Sequence, residues 1–332
     1  MGEVKTLFSE LIDVKENNIL NIDYELLDIL LKDKSSGKYI VWGTDNYSTH
    51  GSGFYNNDYM NVEKVTGFYG ELIRPRVKKS KEEQNLRIRD KAEVFTPSWI
   101  CNRQNNLIDN DWFNKENVFN IEKGKEWKST KRIVFPDNKR WEDYIKSIRI
   151  EISCGEAPYL VSRYDTVSGK TIEVKNRIGI LDRKFRVINE NINDHDEWIE
   201  WSKKAMKSVY GYDWQGDNVL LARENLLYTY IDNYKYKFNK KPSVDLIKEI
   251  ADIISWNIWQ MDGINYIVPY SCKNEVSKNA QLTIFGDEEV ETIECIGCKK
   301  NNIHKHNGTY CKIMNWESNR TNKFINLVNR SR

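Results

Sequence analysis

A short stretch near the middle of the chain combines the residue types that binding of a nucleotide cofactor needs. Residues 149–160 read Arg-Ile-Glu-Ile-Ser-Cys-Gly-Glu-Ala-Pro-Tyr-Leu, a β-branched run that contains an acid and then small residues. Small side chains at Ser153, Cys154 and Gly155 would let backbone N–H groups approach a ligand, as in strand-to-helix turns that bind cofactors. The stretch predicts a cofactor-binding turn, although an ordinary strand-to-helix turn can have the same composition.

Two further acids follow predicted strands. Asp213 ends a short apolar strand that begins near Ser208, and apolar residues at helical spacing follow it. Asp262 follows residues 255–260, which read as a strand after a helix over residues 244–254. A carboxylate at a strand end can accept both hydroxyls of a ribose. Together with the acid of the first stretch, these carboxylates predict one binding site at the ends of three neighbouring parallel strands.

The order of these segments resembles the γ-type amino-methyltransferases of bacterial restriction-modification systems, which transfer a methyl group from S-adenosylmethionine to N6 of adenine in DNA. In that family a Phe/Tyr-Thr-Pro segment precedes a strand with an acid and a small-Cys-Gly-x-Gly turn. A second strand ending in an acid and a third ending in Asn-x-x-x-Asp then follow. This chain has Phe95-Thr96-Pro97, Glu151 to Tyr159, Asp213, and Asn257 to Asp262 in that order. The resemblance covers residues 85–265.

The resemblance implies a role for each segment. The Thr-Pro segment would line the methionine end of S-adenosylmethionine, and residues 151–156 would pass beneath its amino-acid portion. Asp213 would hold the ribose hydroxyls, Trp214 would lie against an adenine face, and Asp262 would accept a hydrogen bond from the adenine amino group. The implied cofactor-binding residues are Phe95, Thr96, Pro97, Glu151, Ser153, Cys154, Gly155, Glu156, Asp213, Trp214 and Asp262.

Two features depart from the pattern of the family. Ala157-Pro158 stands where the turn usually has its last glycine, which makes the loop stiffer. The sequence also lacks the Asn/Asp/Ser-Pro-Pro-aromatic tetrapeptide that holds the extruded target base in the family. Val268-Pro269-Tyr270 follows Asp262 too closely to leave room for an intervening helix and strand. Asn315-Trp316 is better spaced, with an ordinary hairpin strand as the alternative, so these two residues are the only catalytic candidates.

A second chemical pattern lies towards the carboxyl terminus. Cys295 and Cys298 form a Cys-x-x-Cys pair, and His304, His306 and Cys311 follow it. Three thiolates and an imidazole make a tetrahedral set that zinc accepts. The pattern predicts a structural Zn2+ held by Cys295, Cys298, Cys311 and His306, with His304 as the alternative nitrogen ligand. A closed site of this kind leaves no position for a catalytic water, and the competing interpretation is a set of free thiols in a β-hairpin.

Composition limits the class of protein less than the motifs do. The chain has 332 residues, 39% of them hydrophobic, and a net charge of +2, so one large or two ordinary domains can form. With 51 basic and 49 acidic residues, a DNA-binding surface must come from local clusters. Candidates are residues 74–81, where a solvated surface is the alternative, and a helix over 177–188, where a packed crossover helix is the alternative. Without an apolar run of membrane length or a signal peptide, we expect a cytoplasmic protein with reduced cysteines.

These observations combine into one expected architecture. We expect an α/β fold with a Rossmann-like methyltransferase sheet and helices on both faces. Residues 1–80 would form an α/β lead-in, residues 81–265 the S-adenosylmethionine-binding domain, and residues 266–332 a small tail resembling a zinc knuckle.

The expected activity is S-adenosylmethionine-dependent methylation of adenine N6 in DNA, by the modification-type component of a restriction or defence system. The exocyclic amine of an extruded adenine would displace the sulfonium methyl in line, with proximity supplying much of the catalysis. A restriction or specificity subunit could complete the site. The alternative is an inactive cofactor-binding scaffold or specificity subunit on nucleic acid, and methylation of RNA or protein would need the same cofactor site.

Overall fold

The computed structural model describes residues 12–13, 15–91, 93–276, 281–282, 288–289 and 292–328. Its first elements are α1 (Glu16–Ile22), α2 (Tyr24–Leu31), α3 (Val62–Val65), α4 (Lys81–Lys91), α5 (Ser98–Phe113), β1 (Asn120–Lys123), β2 (Glu126–Ser129), α6 (Trp141–Lys146), β3 (Arg149–Ile152), α7 (Ile180–Asn191), α8 (His195–Lys207) and β4 (Val209–Asp213). There follow α9 (Gly216–Phe238), α10 (Val244–Asn257), β5 (Ile258–Gln260), β6 (Glu275–Val276), β7 (Gln281–Leu282), β8 (Glu288–Glu289), β9 (Thr292–Ile293), α11 (Ile296–Lys300), β10 (Lys312–Asn315), β11 (Arg320–Lys323) and α12 (Ile325–Val328). The protein is therefore mixed α/β, as predicted. Within these residues, no helix combines the length and the apolar character needed to cross a membrane.

A three-stranded parallel sheet lies at the centre of the fold, in the order β3-β4-β5. Its register pairs Arg149 with Val209, and Asp213 with Gln260. Parallel neighbours require a crossover connection. Helices α7 and α8 make the first crossover, and α9 and α10 make the second. The predicted strand within residues 149–160 and the predicted strand ending at Asp213 are confirmed.

The third strand is shorter than the sequence predicts. A strand is predicted over residues 255–260, but α10 continues to Asn257 and only three residues form β5. Ser255 stays helical, and its hydroxyl donates to the carbonyl of Ala251, one turn earlier, at 2.9 Å. The strand begins where the Asn257 side chain donates to two backbone carbonyls, each at 3.0 Å.

The outer edge of β3 is open. Among the described strands, β4 alone pairs with β3. Ile148, Ile150 and Ile152 alternate along this segment and are 70, 46 and 66% exposed. Sheets built only of parallel strands normally have both faces covered. The observed sheet is therefore smaller than the Rossmann-like methyltransferase sheet that the resemblance implies.

One continuous core joins the amino-terminal helices to the sheet. Leu27 and Leu30 of α2 are fully buried in the same cluster as apolar residues of α9 and α10. Arg223 of α9 donates to the carbonyl of Leu30 at 2.6 Å and to that of Ile258 at 2.8 Å. Burial lowers the pKa of Arg223 to about 10, and these carbonyls satisfy its donors. Helices from the region 1–80 thus share a core with the central sheet.

Helix α7 packs as a crossover helix, which confirms that interpretation of residues 177–188 over a basic face that meets a phosphate backbone. The Arg183 guanidinium is buried, with Nη1 at 2.5 Å from Oδ2 of Asp109. Lys184 is fully buried and donates to Oγ of Ser208 at 2.6 Å. Burial lowers the pKa of Lys184 well below its ordinary value. These two cations satisfy acceptors inside the protein and cannot meet a phosphate backbone.

The carboxyl-terminal region packs on β4 and β5 through a second apolar cluster. Strands β10 and β11 form an antiparallel hairpin, and Ile267 forms a β-bridge with Tyr310. The aromatic ring of Phe324 contacts those of Tyr212 and Trp259, with centroids 6.0 and 5.4 Å away. The tail is thus attached directly to the strands whose ends form the candidate site. The buried members of the cluster are Tyr212, Trp259, Met261, Val268 and Cys311.

Candidate functional site

A cavity of about 670 Å³ opens at the carboxyl ends of β3 and β4. This volume lies within the range of about 300–1,000 Å³ that is typical of small-molecule sites. The walls come from residues 93–96, from α5, from residues 149–160 with Ile180, and from residues 213–218. The cavity-lining residues that the sequence assigns to a cofactor are Phe95, Thr96, Glu151, Ser153, Cys154, Gly155, Asp213 and Trp214.

Glu151 of β3 fixes the turn that follows its own strand. Its two carboxylate oxygens accept the backbone N–H groups of Tyr159 at 3.3 Å and Leu160 at 3.1 Å. Burial raises the pKa of Glu151 to about 8. The carboxyl therefore positions the cavity wall and also supplies a group that titrates near neutral pH.

The turn at residues 153–157 is attached to β4. The N–H groups of Cys154 and Gly155 donate to the carbonyl of Tyr212 and to Oδ2 of Asp213, both at 2.9 Å. These amides are therefore not directed at a ligand as predicted, because the neighbouring strand end already supplies acceptors. Ala157 has φ 60°, in the left-handed region where glycine is favoured. The methyltransferase family pattern has glycine at this position, and the left-handed conformation explains why glycine is favoured there.

Asp213 joins the two strand ends. Its Oδ1 accepts the N–H of Gln215 at 2.9 Å, while Oδ2 accepts that of Gly155. Burial raises the pKa of Asp213 to about 6. Oδ1 also accepts a hydrogen bond from Nδ2 of Asn218 at 3.5 Å, so the remaining acceptor position on Oδ2 is the one that can receive a hydroxyl donor from a ligand.

Glu93 is a cavity residue that the sequence reasoning did not single out. Its Oε2 forms an ion pair with Arg87, while its Oε1 is buried without a hydrogen-bond partner among the described residues. Because an unpaired buried carboxylate oxygen costs free energy, a ligand donor at this wall would be stabilising. The position of Glu93, two residues before Phe95 in the Phe-Thr-Pro segment, was the available signal.

A buried ion-pair network supports this wall from behind. Arg87 Nη1 lies 2.8 Å from Oδ2 of Asp217, and Lys79 Nζ lies 3.5 Å from the same atom. The Arg87 guanidinium holds the pKa of Asp217 below its ordinary value despite burial. Lys79 therefore faces the interior, and Arg74 pairs with Glu83. The basic cluster predicted over residues 74–81 is thus partly used inside the fold.

Two exposed aromatic rings pack together, and one of them lines the cavity. Trp214 lines the cavity, is 38% exposed, and donates from Nε1 to the carbonyl of Gly43 at 2.9 Å. Tyr270 packs edge-on against it, with centroids 5.6 Å apart and planes at 73°. The Tyr270 ring is 46% exposed. The mouth therefore offers an aromatic surface to a ligand.

Three predicted cofactor residues do not line the cavity. Asp262 accepts the N–H groups of Ile264 and Asn265 at 2.9 and 3.1 Å, which closes its own turn. Glu156 is buried and accepts the Tyr164 hydroxyl at 2.6 Å. Pro97 is the N-cap of α5. The carboxylates of Asp262 and Glu156 are thus engaged by hydrogen-bond donors of the protein.

Asn315 and Trp316 lie at the opposite end of the sheet. Trp316 Nε1 donates to Oδ1 of Asn257, directly before β5, at 2.9 Å, and Lys207, before β4, lies over its ring at 4.9 Å. Asn315 accepts the N–H of Ser318 at 2.9 Å within the hairpin turn. The cavity is at the carboxyl ends of the strands, so the prediction that these two residues reach a target base is wrong.

A group of three cysteines and one histidine lies beside the same end of the sheet as the cavity. The ligand atoms of Cys272, Cys295, Cys298 and His306 all lie within 4.8 Å of one another. His306 Nδ1 is 3.5, 3.8 and 3.6 Å from the three sulfur atoms in that order. Its Nε2 lies 3.2 Å from Oδ1 of Asn265, the kind of contact that orients metal-bound imidazoles. The group could hold a metal ion.

Cys272 takes the place that the sequence prediction gave to Cys311. Cys311 is fully buried, and its Sγ lies 3.4 Å from the carbonyl of Gln260. The Cys311 side chain packs in the apolar cluster and not beside the other thiols. His304 is exposed and lies outside the group, so His306 is the nitrogen donor. The Cys-x-x-Cys pair identified the centre, but only folding could bring Cys272 to it.

The backbone leaves little room around the imidazole. A Cβ atom on Gly297, between the two cysteines of the pair, would lie 2.6 Å from the His306 ring. The N–H of Asn307 donates to Sγ of Cys295 at 3.3 Å. The N–H donor to sulfur favours a thiolate at Cys295.

Comparison of the chain with protein-family models, curated proteins and solved structures finds no match.

Proposed function

We propose that the chain is an S-adenosylmethionine-dependent DNA adenine-N6 methyltransferase-like protein and the modification-type component of a restriction or defence system. One observation carries the proposal. Eight of the eleven residues that the resemblance assigns to one cofactor line a single cavity: Phe95, Thr96, Glu151, Ser153, Cys154, Gly155, Asp213 and Trp214. The order of these residues along the chain does not by itself require them to line one cavity. The site at the ends of neighbouring parallel strands is also where ligands bind in open α/β sheets.

The chemistry of the cavity wall fits this cofactor. Asp213 offers an acceptor to a hydroxyl donor, and Glu93 adds a second carboxyl to the cavity wall, whose Oε1 is buried and has no hydrogen-bond partner among the described residues. The rings of Phe95 and Trp214 supply apolar surface for a purine. Carboxylates also favour a cationic ligand over a neutral one. Bound S-adenosylmethionine would supply an electrophilic methyl group on a positively charged sulfonium.

The protein's part in such a reaction is positioning. Methyl transfer to an amine needs no covalent enzyme intermediate, so orientation of the two partners accounts for much of the rate. Glu151 and Asp213 hold the walls rigid through backbone N–H groups. Burial keeps bulk water from these carboxyls, which strengthens their interactions with a ligand.

We further propose that Cys272, Cys295, Cys298 and His306 bind a structural Zn2+. Four protein donors of this kind make a closed tetrahedral site. The hydrogen bond between His306 Nε2 and Oδ1 of Asn265 supports this assignment because it would fix the ring orientation. Metal analysis of the purified protein tests it, with one zinc per chain expected.

A restriction or specificity subunit is the proposed protein partner. The base-holding tetrapeptide is missing from the sequence, and Asn315-Trp316 lies at the wrong end of the sheet. Strand β3 borders the cavity through Ile150 and Ile152, and its outer edge is unpaired among the described strands. A strand from another polypeptide could pair with this edge and bring residues to the site.

The second candidate function is a cofactor-binding scaffold or specificity subunit that does not transfer the methyl group. The missing tetrapeptide favours it. Both functions predict cofactor binding, and they differ in product.

Titration calorimetry with S-adenosylmethionine, together with transfer of a tritiated methyl group to DNA, RNA and protein substrates, separates the candidates. Binding with label in DNA supports the first function, and binding without label in any substrate supports the second. Absence of binding contradicts both, and label in RNA or protein would redirect the first to another substrate class.

A further inference from the structure

A second cavity, of about 470 Å³, opens between β2 with the residues that follow it, the turn over residues 174–176, and helices α7 and α9. Its volume lies within the range of about 300–1,000 Å³ that is typical of small-molecule sites. We infer that this cavity binds a small organic phosphate, whose phosphate group pairs with lysines at the opening and whose organic part contacts asparagines and Tyr236. The cavity shares no lining residue with the strand-end cavity, so this site does not depend on the proposed function.

The two cavities lie towards opposite ends of the same two helices. Ile180 begins α7 and lines the strand-end cavity, as does Asn218 near the start of α9. Glu190 and Asn233, near the other ends of these helices, line the second cavity. At a rise of about 1.5 Å per residue, Asn218 and Asn233 are about 22 Å apart along the axis of α9. One small ligand cannot fill both cavities, so the second is a separate site.

Exposed lysines supply the charge of the second cavity. Lys128, Lys131 and Lys175 line it, and all three are exposed. Among the described residues, neither Lys128 nor Lys131 has an ion pair. Lys175 Nζ lies 3.1 Å from Oε2 of Glu173, but both side chains are more than half exposed. Such an exposed pair contributes little free energy, so a phosphate group can take the place of Glu173.

The one acid that lines this cavity is already neutralised. Glu190 Oε1 accepts Nε of Arg186 at 2.8 Å, and its Oε2 accepts the N–H of Ile133 at 2.8 Å. Arg186 also lines the cavity and donates from Nη2 to the carbonyl of Thr130 at 2.6 Å. This network fixes the wall and uses the carboxylate of Glu190. The positive charge of the lysines is therefore available to an anion.

The interior of the cavity is polar and favours an organic ligand over an inorganic ion. Asn233 is buried, and its Oδ1 accepts Nδ2 of Asn189 at 3.2 Å. Asn176 lines the opposite wall. Carboxamides both donate and accept, which suits the hydroxyls of a sugar or the edge of a base. The Tyr236 ring also lines the cavity and is 57% exposed, so it offers an aromatic face to the same ligand.

Side-chain hydrogen bonds hold two walls of the cavity together. Trp127 Nε1 donates to the carbonyl of Asn176 at 2.8 Å, and Ser129 Oγ donates to the carbonyl of Lys175 at 3.0 Å. These bonds attach β2 to the turn over residues 174–176, so the site is formed before a ligand binds and ordering it costs little. A small molecule that enters the cavity can reach the buried Asn233. The backbone of a polyanion that lies across the opening would contact only the lysines.

The first test measures binding of ADP and of pyrophosphate to the full chain by titration calorimetry. Lys131→Gln combined with Lys175→Gln should weaken both ligands about tenfold or more, because charge-assisted hydrogen bonds to the phosphates are lost. Lys81→Gln combined with Lys300→Gln, which removes two exposed lysines elsewhere, is the matched control and should change neither affinity. Thermal unfolding followed by circular dichroism confirms that each variant is folded.

The second test separates the organic part of the ligand from its phosphates. Tyr236→Ala should weaken ADP about fivefold and leave pyrophosphate unchanged, because only ADP has a base that contacts the ring. Tyr236→Phe should bind both ligands like the wild type. Tyr55→Ala, which removes another exposed tyrosine, is the control. Equal affinities for ADP and pyrophosphate that do not respond to Tyr236→Ala would overturn the assignment to an organic phosphate.

Three further outcomes would overturn the inference. The first is absence of ADP binding, or ADP binding that the lysine variant does not weaken. The second is ADP affinity that disappears in Asp213→Ala and survives in the lysine variant, since ADP would then occupy the strand-end cavity. The third is an oligonucleotide that binds through the same lysines while ADP does not bind, which would make the opening a polyanion surface. Affinity for S-adenosylmethionine should be the same in the lysine variant and the wild type.

Discussion

The cavity and the Cys3His knuckle, which comprises residues 295–306 together with Cys272, lie at the same end of the sheet but are assembled in different ways. In the knuckle, Cys298 and His306 are eight residues apart, and the most distant ligand, Cys272, is 34 residues from His306. In the cavity, the hydrogen bond from Gly155 to Asp213 spans 58 residues and depends on parallel strand pairing. The folding of the knuckle should therefore depend on its metal ion, and the shape of the cavity should depend on the central sheet. Substitutions in each region test whether the two are independent of one another.

The largest effect is expected from loss of a metal ligand. Cys272→Ser and Cys298→Ser should each reduce zinc from one per chain to near zero and locally unfold the knuckle, because metal binding supplies several kcal/mol of folding free energy in such sites. Metal analysis and amide hydrogen exchange measure this. S-adenosylmethionine affinity should change less than twofold, since the cavity has its own supports.

Cys311→Ala is the matched control for the ligand variants. Its thiol packs in the apolar cluster, so the change should leave the zinc content intact and lower the free energy of unfolding by about 1 kcal/mol. If zinc were retained in Cys272→Ser and lost in Cys311→Ala, the ligand set expected from the sequence, with Cys311 in place of Cys272, would be correct.

The contrast also explains what the sequence could predict. The Cys-x-x-Cys pair and His306 are close along the chain, so their types and spacing identify a metal group. Cys272 comes from another segment, and no local pattern distinguishes it from Cys311. The strand ending at Asp213 is a strong local signal, because apolar residues precede the acid and a helix follows.

Tertiary contacts decide the positions that the sequence prediction missed. Ser255 lies in the last turn of α10, where its hydroxyl donates to the carbonyls of Ala251 and Ile29, although the surrounding residues favour a strand. In the sequence, Arg183 and Lys184 belong to a predicted basic face. In the structure, buried acceptors surround both side chains. Glu93 stands two residues before Phe95, but its unpaired Oε1 becomes visible only in three dimensions.

The next effect concerns pH and the cavity wall. The pKa of Glu151 in the folded protein, about 8, lies above its ordinary value of 4.5. The folded protein therefore binds this proton more tightly than the unfolded chain, and the free energy of unfolding should fall as pH rises from about 4.5 to about 8. A shift of this size corresponds to a few kcal/mol. Thermal unfolding between pH 5 and pH 9 measures it.

Glu151→Gln is the variant that isolates this dependence. Glutamine keeps an acceptor for only one of the N–H groups of Tyr159 and Leu160, and it cannot ionise. The free energy of unfolding of the variant should therefore change less than that of the wild type between pH 5 and pH 9. An identical profile in both proteins would mean that another buried carboxyl, such as Asp213, dominates.

A smaller effect is expected at the strand end that faces the cavity. Asp213→Ala should weaken S-adenosylmethionine binding by about 1–3 kcal/mol, because the ribose hydroxyls would lose a charged acceptor. Calorimetry measures the change, and zinc content should be unaffected. Asp262→Ala is the control, since its carboxylate closes a turn away from the cavity wall. Equal losses in both variants would indicate that all the strand-end acids contact the ligand.

The smallest effect distinguishes a binding residue from a supporting one. Glu93→Gln keeps an acceptor for Arg87 but replaces the unpaired oxygen at the cavity wall with an amide, which repels a ligand donor if its N–H groups face inward. Cofactor affinity should fall by about 1–2 kcal/mol with little change in the unfolding temperature. Glu82→Gln, on the exposed side of α4, should alter neither quantity. A lower unfolding temperature without weaker binding would make Glu93 part of the Arg87 network only, and the cavity would then depend on Asp213 as its acceptor.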